Sequence, residues 1–297
     1  MTTQPASRHF DVGELSRGLA ALPGMDAHHA TERGAGPMGL WINEGVGNAL
    51  AARALLHHLA AHESNAEWVV LGPASSAAFF EMDAPVAAYI PLLGMQSRRP
   101  AQWRITHWWS ARQQRQQLRA VGLQRVFGVR PAGHKEWLSL SRQLHCPFLA
   151  VLGALDAFLE LPHPILQAGP SALAYATHVF RGTPPNKSKE VLFVELRASD
   201  TTSLNKLQVD VDRLAKHESA SVERVIAVVS ELPEFMQRRL AQNHPDWHWV
   251  TMTQAFGLLG YADRVIGTNI DITLIGQEMG RGALFVLDKT HSQAFKD

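Results

Sequence analysis

A short polar turn between an apolar strand and an apolar helix is the first place where this sequence offers chemistry. The turn, Glu44-Gly45-Val46-Gly47-Asn48, follows the apolar run Gly39-Leu40-Trp41-Ile42. Gly45 and Gly47 let the backbone approach a ligand closely, and the N–H groups that open the following helix can bind an anion or a hydroxyl. The spacing is neither GxGxxG nor a P-loop, so an ordinary tight turn is the alternative interpretation.

A second polar turn lies near the end of the chain. Strand 264–267 leads into Thr268 and Asn269, a helical stretch ends at Gly280, and the apolar strand 283–287 follows. A strand, a polar turn and a helix in this order are typical of the end of a nucleotide-binding domain, because phosphates bind at helix N-termini.

A third candidate combines aromatic and basic residues. His107, Trp108 and Trp109 precede Arg112 and Arg115 in the stretch RITHWWSARQQRQQ. Aromatic rings stack on the apolar faces of sugars, and arginine binds phosphate in a bidentate manner, so the patch suits a sugar or a phosphorylated glycan. The alternative is a loop whose tryptophans cover the core, followed by a solvated helix.

These candidates lie within a regular alternation of strands and helices, which predicts βαβ units and mostly parallel sheets. The first half has predicted strands at 39–42, 67–72, 86–91, 125–129 and 148–152 and predicted helices at 49–62, 110–120 and 134–145. The second half has predicted strands at 191–196, 224–229, 247–252, 264–267 and 283–287 and predicted helices at 204–217, 233–242 and 255–261.

Domain boundaries follow from this alternation and from one break in it. Residues 1–37 form an N-terminal extension, interpreted as a short helix with a loop, and residues 38–180 form a first α/β domain. The Gly-, Pro- and charge-containing segment 181–190 is a predicted linker, and residues 191–297 form a second α/β domain. We expect two facing Rossmann-like domains with a ligand between them, at the carboxyl ends of the strands.

Composition excludes several classes of protein. The 297 residues are 46% hydrophobic and carry a net charge of +1, which gives no electrostatic footprint for nucleic acid. The sequence has neither a secretory signal nor a run of about 20 apolar residues, so we expect a cytoplasmic protein without a transmembrane segment. The single cysteine, Cys146, fits a reducing compartment and is interpreted as a buried thiol. The 15 histidines show no metal-binding spacing, so no metal site is predicted.

The flanks of both turns resemble the heptosyltransferase family of GT-B-fold glycosyltransferases. The stretch MGLWINEGVGNALAARALLHHLAAH, residues 38–62, is similar to the family's opening strand, Gly-x-Gly-Asp turn and apolar helix. ADRVIG, residues 262–267, and Gly280 match the spacing of its donor signature, and Lys206 resembles its phosphate-binding lysine. The resemblance implies two GT-B domains, with an acceptor site that includes Gly45 and Gly47 on the first and a nucleotide-sugar site on the second.

The first departure from the family concerns the general base. The family places an Asp at the end of the first turn, where it takes the proton of the acceptor hydroxyl, whereas this sequence has Asn48. An amide forms hydrogen bonds with a hydroxyl but does not accept its proton near neutral pH. Asp83 and Asp156 are other acids that could serve as the base, and the sequence favours neither.

The second departure concerns the donor signature. The family's Asp-Thr-Gly is Asn269-Ile270-Asp271 here, and its His is Leu274. A carboxylate at Asp271, about 4 Å from a phosphate, would repel it by about 4 kcal/mol at an effective dielectric constant near 20. Glu278 lies about one helical turn from the register of a ribose-binding Glu in other donor folds, and a solvated carboxylate is the alternative.

Two hypotheses follow. In the first, the protein transfers a sugar from a nucleotide sugar to a hydroxyl of a glycan or other acceptor. Lys206 then neutralises the leaving diphosphate, Thr268 and Asn269 bind it, and Asn48 orients the acceptor, with no metal or other cofactor. In the second, the protein keeps the fold as an inactive binding or assembly module with a protein partner, because both halves of the site have lost family residues.

Overall fold

A computed structural model of the chain describes sixteen separate segments and leaves the intervening residues outside the description. These segments are residues 8–11, 36–63, 65–92, 116–129, 146, 148–152, 155–179, 190–197, 222–230, 238, 241–242, 245, 247–262, 264–267, 270–281 and 284–286. They divide into two compact units, Met1–Pro164 and Ile165–Asp297.

The first unit contains a six-stranded parallel sheet. Its strands are β1 (Arg8–Asp11), β2 (Met38–Trp41), β3 (Trp68–Gly72), β4 (Val86–Pro91), β5 (Val126–Val129) and β6 (Phe148–Leu152), in the order β1-β6-β5-β2-β3-β4. Helix α1 (Val46–His62) follows β2, a 3-10 helix (Ala74–Phe79) follows β3, and helix α2 (Leu155–Leu159) follows β6. Residues 116–121, just before β5, are also helical.

The second unit contains a five-stranded parallel sheet. Its strands are β7 (Glu190–Arg197), β8 (Val222–Ser230), β9 (His248–Val250), β10 (Arg264–Gly267) and β11 (Leu284–Val286), in the order β11-β10-β7-β8-β9. Its described helices are α3 (Pro170–Val179), α4 (Met252–Leu259) and α5 (Ile270–Glu278). Thr251 begins α4 with a capping box, in which its side chain accepts from the Gln254 N–H and its own N–H donates to the Gln254 side chain.

Both sheets have the strand order of a Rossmann fold. In the first sheet, β2, β3 and β4 lie side by side in chain order, and β5 lies on the other side of β2. In the second sheet, β7, β8 and β9 lie side by side in chain order, and β10 lies on the other side of β7. The reversal creates a topological switch point between β2 and β5 in the first sheet and between β7 and β10 in the second. The predicted α/β class with mostly parallel sheets is confirmed.

Burial explains why these segments form strands. Every residue of β2, β3 and β5 is buried, as expected for central parallel strands covered on both faces. Helix α1 is Ala- and Leu-rich and also mostly buried, with Leu50, Leu55 and Leu59 fully inaccessible. The continuous apolar runs that predicted these elements are therefore the hydrophobic core of the first unit.

The N-terminal segment differs from its predicted structure. Residues 8–11, expected in a helix or a loop, form β1 and pair in parallel with β6, with Arg8 opposite Leu149 and Asp11 opposite Leu152. The edge of β6 offers unpaired backbone groups, and pairing with them determines the conformation of a segment whose own composition favours no element.

The division between the units also differs from the predicted domain boundary. It falls after Pro164, so residues 165–180 belong with the second unit rather than with the first. The reason is helix packing: α3 lies against α4 so closely that Gly257 faces the Ala172 carbonyl group, where a Cβ atom would overlap it. Of the predicted linker 181–190, only Glu190 lies within the described residues, at the start of β7.

Candidate functional site

Polar residues meet at the switch point of the first sheet. Asn43 lies two residues after the end of β2 and is only 7% exposed. Its Nδ2 donates a hydrogen bond to the backbone oxygen of Val129, the last residue of β5, over 3.2 Å. This bond joins the two strands that flank the switch point, where open α/β sheets bind their ligands. It also fixes the beginning of the turn that leads to α1.

The same turn places the N-terminus of α1 at this switch point. Gly45, the N-cap of α1, has φ of 105°, a left-handed conformation that L side chains rarely adopt. Its carbonyl oxygen accepts from the N–H of Ala49 at 3.1 Å, while no side chain caps the helix. The first N–H groups of α1, from Val46 and Gly47 onward, therefore form a partly positive end suited to ligand oxygens.

Asn48 stabilises this turn by a hydrogen bond of its own. Its half-buried side chain donates from Nδ2 to the backbone oxygen of Glu44 over 2.7 Å. The amide is thus a donor within the turn, and it has no basic atom with which to take a proton. Glu44, an exposed residue, is the single carboxylate among residues 43–48. Glu44 was not among the residues that the sequence predicted for the site.

The switch point of the second sheet lies between β7 and β10. Strand β10 ends at Gly267, and α5 begins at Ile270, two residues later in the sequence than the residue that follows the strand. Asp271 is half-buried in the first turn of α5. A carboxylate at this position favours the helix by interacting with its positive end. The same charge disfavours a phosphate bound at that end.

Glu278 lies at the opposite end of α5. It is the last residue of the helix, and its backbone oxygen accepts from the N–H of Leu166 at 2.8 Å. It lies seven positions after Asp271, which corresponds to about 10 Å along the helix axis. The helix therefore does not bring these two predicted donor residues together.

Six of the predicted site residues lie outside the described residues. On the acceptor side these are His107, Trp108 and Arg112, and on the donor side Lys206, Thr268 and Asn269. The last described residues before them in sequence are Leu92 in the first unit and Arg197 and Gly267 in the second, and each ends or directly follows a strand.

A buried charged cluster in the first unit was not predicted. The Arg53 guanidinium donates from Nε to both carboxylate oxygens of Asp83, at 3.0 and 2.9 Å, and its Nη2 lies 2.8 Å from Asp83 Oδ1. Nε2 of His57 lies 2.9 Å from the same oxygen, and Nη1 of Arg53 donates to the Pro164 carbonyl oxygen at 2.9 Å. The carboxylate of Asp83 is therefore committed to structural contacts and is not the missing base.

Cys146 is buried and free, as the sequence suggested. Burial raises the pKa of its thiol from 9.0 to about 11, so the reactive thiolate is scarce at neutral pH, which argues against a nucleophilic role. Within the described segments, no group of three or more His, Cys, Asp or Glu residues is placed to hold a metal ion. No described helix is both long and apolar enough to cross a membrane.

Comparison with known proteins places this geometry in a structural class. No protein-family model matches the chain, and no curated protein gives a significant match. Several solved glycosyltransferases share its fold. The ADP-heptose LPS heptosyltransferase II of E. coli matches with a TM-score of 0.55 and 12% identity, over 83% of this chain and 83% of its own.

Two further structures agree with that match. A family 9 glycosyl transferase from Veillonella parvula matches with a TM-score of 0.57 and 8% identity, over 86% of this chain and 82% of its own. The E. coli heptosyltransferase WaaC, solved with ADP, matches with a TM-score of 0.54 and 13% identity, over 82% and 85%. Identities this low show a shared fold alone. The chain has a GT-B-like glycosyltransferase fold and is structurally similar to heptosyltransferases over most of its length.

Proposed function

We propose that this protein is a metal-independent glycosyltransferase that moves a sugar from a nucleotide sugar to a hydroxyl of a glycan or other acceptor. The observation that carries the proposal is the turn at the first switch point, where Asn43 joins β2 to β5 and Gly45 opens an uncapped helix. Similarity of fold to heptosyltransferases over more than four fifths of the chain supports the same function. The single cysteine, Cys146, fits a cytoplasmic location.

The first unit is assigned to the acceptor. Gly45 and Gly47 let the acceptor approach the backbone, and Asn48 orients its hydroxyl by hydrogen bonding. The helix N-terminus contributes partial positive charge without a formal cation, and so stabilises an oxygen that becomes more negative as its proton leaves. His107, Trp108 and Arg112 are proposed to extend this site toward the rest of a glycan.

The second unit is assigned to the donor. Lys206 is proposed to neutralise the leaving diphosphate, while Thr268 and Asn269 bind it at the start of α5. A lysine and a helix N-terminus together supply the charge stabilisation that other transferases obtain from a metal ion. WaaC was solved with ADP and with ADP-2-deoxy-2-fluoro heptose, so ADP-sugars are the first donors to test.

The second candidate function is an inactive binding or assembly module with a protein partner. Two observations favour it: the Asn48 amide is engaged with Glu44 of its own turn, and Asp271 places a negative charge in the first turn of α5. An amide at residue 48 does not act as a base, and the charge of Asp271 disfavours an anionic donor. A binding or assembly module needs neither a base nor a nucleotide-sugar donor.

Calorimetric titration with ADP, UDP, GDP and their sugar derivatives separates the two functions. A transferase binds at least one of them at micromolar concentration, and Lys206→Ala weakens that binding by tenfold or more because an unscreened phosphate charge remains. Arg119→Ala, which removes an exposed cation elsewhere on the first unit, is the matched control and leaves the affinity unchanged. Absence of binding at millimolar concentration by the wild-type chain favours the assembly module.

A further inference from the structure

The hydrogen bond of Asn48 raises the question of which residue accepts the acceptor's proton. Asn48 donates from Nδ2 to the Glu44 backbone oxygen at 2.7 Å, so residues 44 and 48 lie on the same turn at the end of β2. Between Gly39 and Ala52, Glu44 is the only residue with an ionisable side chain. It is exposed, and the turn places it immediately before the N-cap of α1.

Other carboxylates at this edge of the sheet lie farther from the switch point. Asp156 is in α2, which follows β6, and Asp11 ends β1. In the strand order, β6 is two strands and β1 three strands from β2, or about 10 and 14 Å at the usual spacing. Asp83, by contrast, precedes β4 at the opposite edge of the sheet and is paired with Arg53. Among the described carboxylates of the first unit, Glu44 is therefore the one closest in sequence to the open end of α1.

We propose that Glu44 is the catalytic base of the transfer reaction and that Asn48 has become a residue that positions it. This inference rests on the proposed glycosyltransferase function. The Glu44 carboxylate takes the proton of the acceptor hydroxyl as the acceptor oxygen attacks the anomeric carbon of the donor. The bond from that carbon to the diphosphate breaks, and its electron pair leaves with the nucleoside diphosphate. Glu44 then releases the proton to water.

In this arrangement residue 44 carries the carboxylate and residue 48 carries the group that positions it. An Asp at residue 48 would place a carboxylate directly beside the helix end, whereas here the amide at 48 fixes the peptide of residue 44. The hydrogen bond holds the backbone from which the Glu44 side chain extends, so loss of Asn48 frees the base without removing it. General bases typically contribute 10²- to 10⁴-fold to a rate, which sets the size of the effect to be measured.

The test compares release of nucleoside diphosphate from ADP-heptose and from other ADP-, UDP- and GDP-sugars, with water in place of the unknown acceptor. Glu44→Gln should lower the release rate at least 100-fold while leaving the dissociation constant of the nucleotide within twofold. Adding Asn48→Asp to that variant should recover at least tenfold of the loss, because it returns a carboxylate to the turn. Glu81→Gln, an exposed carboxylate elsewhere in the unit, should leave the rate unchanged.

The other outcomes would refute either the assignment of Glu44 or the transferase function on which it rests. Release that persists within threefold in Glu44→Gln, or that disappears instead in Asp156→Asn, refutes the assignment of Glu44 and leaves the transferase function intact. Nucleotide binding without release by the wild-type chain also refutes the assignment of Glu44 but keeps the donor site. Neither binding nor release with any of these donors refutes the transferase function and the inference together.

Discussion

Replacing Asp83 by alanine should destabilise the first unit more than any surface substitution. The carboxylate of Asp83 is paired with the Arg53 guanidinium, and both side chains are only 3% exposed. The variant leaves the guanidinium buried without its counter-charge, and removal of one partner of a buried ion pair typically costs about 3–5 kcal/mol. For a unit of this size, about 2–4 °C per kcal/mol predicts a fall in Tm of about 6–20 °C.

Differential scanning calorimetry and urea unfolding measure this effect, with two further variants for comparison. Glu81→Ala removes an exposed carboxylate two residues away and should change stability by less than about 0.5 kcal/mol. The double variant Arg53→Met, Asp83→Leu removes both charges and should recover most of the loss, since buried pairs can be replaced by apolar residues at little cost. A loss below about 1 kcal/mol in Asp83→Ala would show that the pair is not buried in solution.

The remaining predictions concern the packing of α3 against α4, the thiol of Cys146 and the charge of Asp271. Gly257→Ala should destabilise the second unit by about 1–3 kcal/mol or more in urea unfolding, because the new Cβ meets the backbone of Ala172; wild-type stability would contradict the α3–α4 contact. Cys146 should react slowly with Ellman's reagent at pH 8 and rapidly after denaturation. Because its folded pKa is raised to about 11, the thiol's contribution to stability is present below about pH 9 and is lost as the pH rises toward 11. Fast labelling of the native protein would refute its burial. Asp271→Gly should tighten nucleotide binding by up to roughly tenfold, or about 1.4 kcal/mol, in calorimetric titration, by removing a like charge. Unchanged or weaker binding would exclude Asp271 from the phosphate site.

The strands of both sheets were predictable because central parallel strands are continuous apolar runs. Residues 68–72, WVVLG, illustrate this, since all five are buried and no polar alternation interrupts them. The N-terminal strand Arg8–Asp11 lacked such a signal: its state depends on pairing with β6, about 140 residues away. Local composition does not record a pairing partner at that distance.

The buried cluster of Arg53, His57 and Asp83 could not be predicted from the sequence for a related reason. Arg53 and Asp83 are 30 residues apart, and neither segment identifies the other as its partner. One signal was present, because Arg53 lies within the otherwise apolar helix ALAARALL, and a buried cation requires a partner. The sequence could have predicted that a partner exists but not that it would be Asp83.

The candidate site was partly predictable. The turn from Glu44 to Asn48 was found from its glycines and its place between a strand and a helix, and the strand order puts it at a switch point. The sequence did not predict Asn43, whose role depends on its hydrogen bond to Val129 on a non-consecutive strand. The predicted roles of Lys206 and Thr268 remain predictions, since both residues lie outside the described part of the chain.

Mass-spectrometric detection of nucleoside diphosphate release tests the central claim most directly. The wild-type chain is incubated with ADP-heptose and a panel of other nucleotide sugars, with and without EDTA, beside Lys206→Ala. A metal-independent transferase releases the diphosphate from at least one donor, at a rate that EDTA does not change and that Lys206→Ala reduces by at least tenfold. Donors that remain intact in every reaction, or release that requires an added metal ion, would contradict the account.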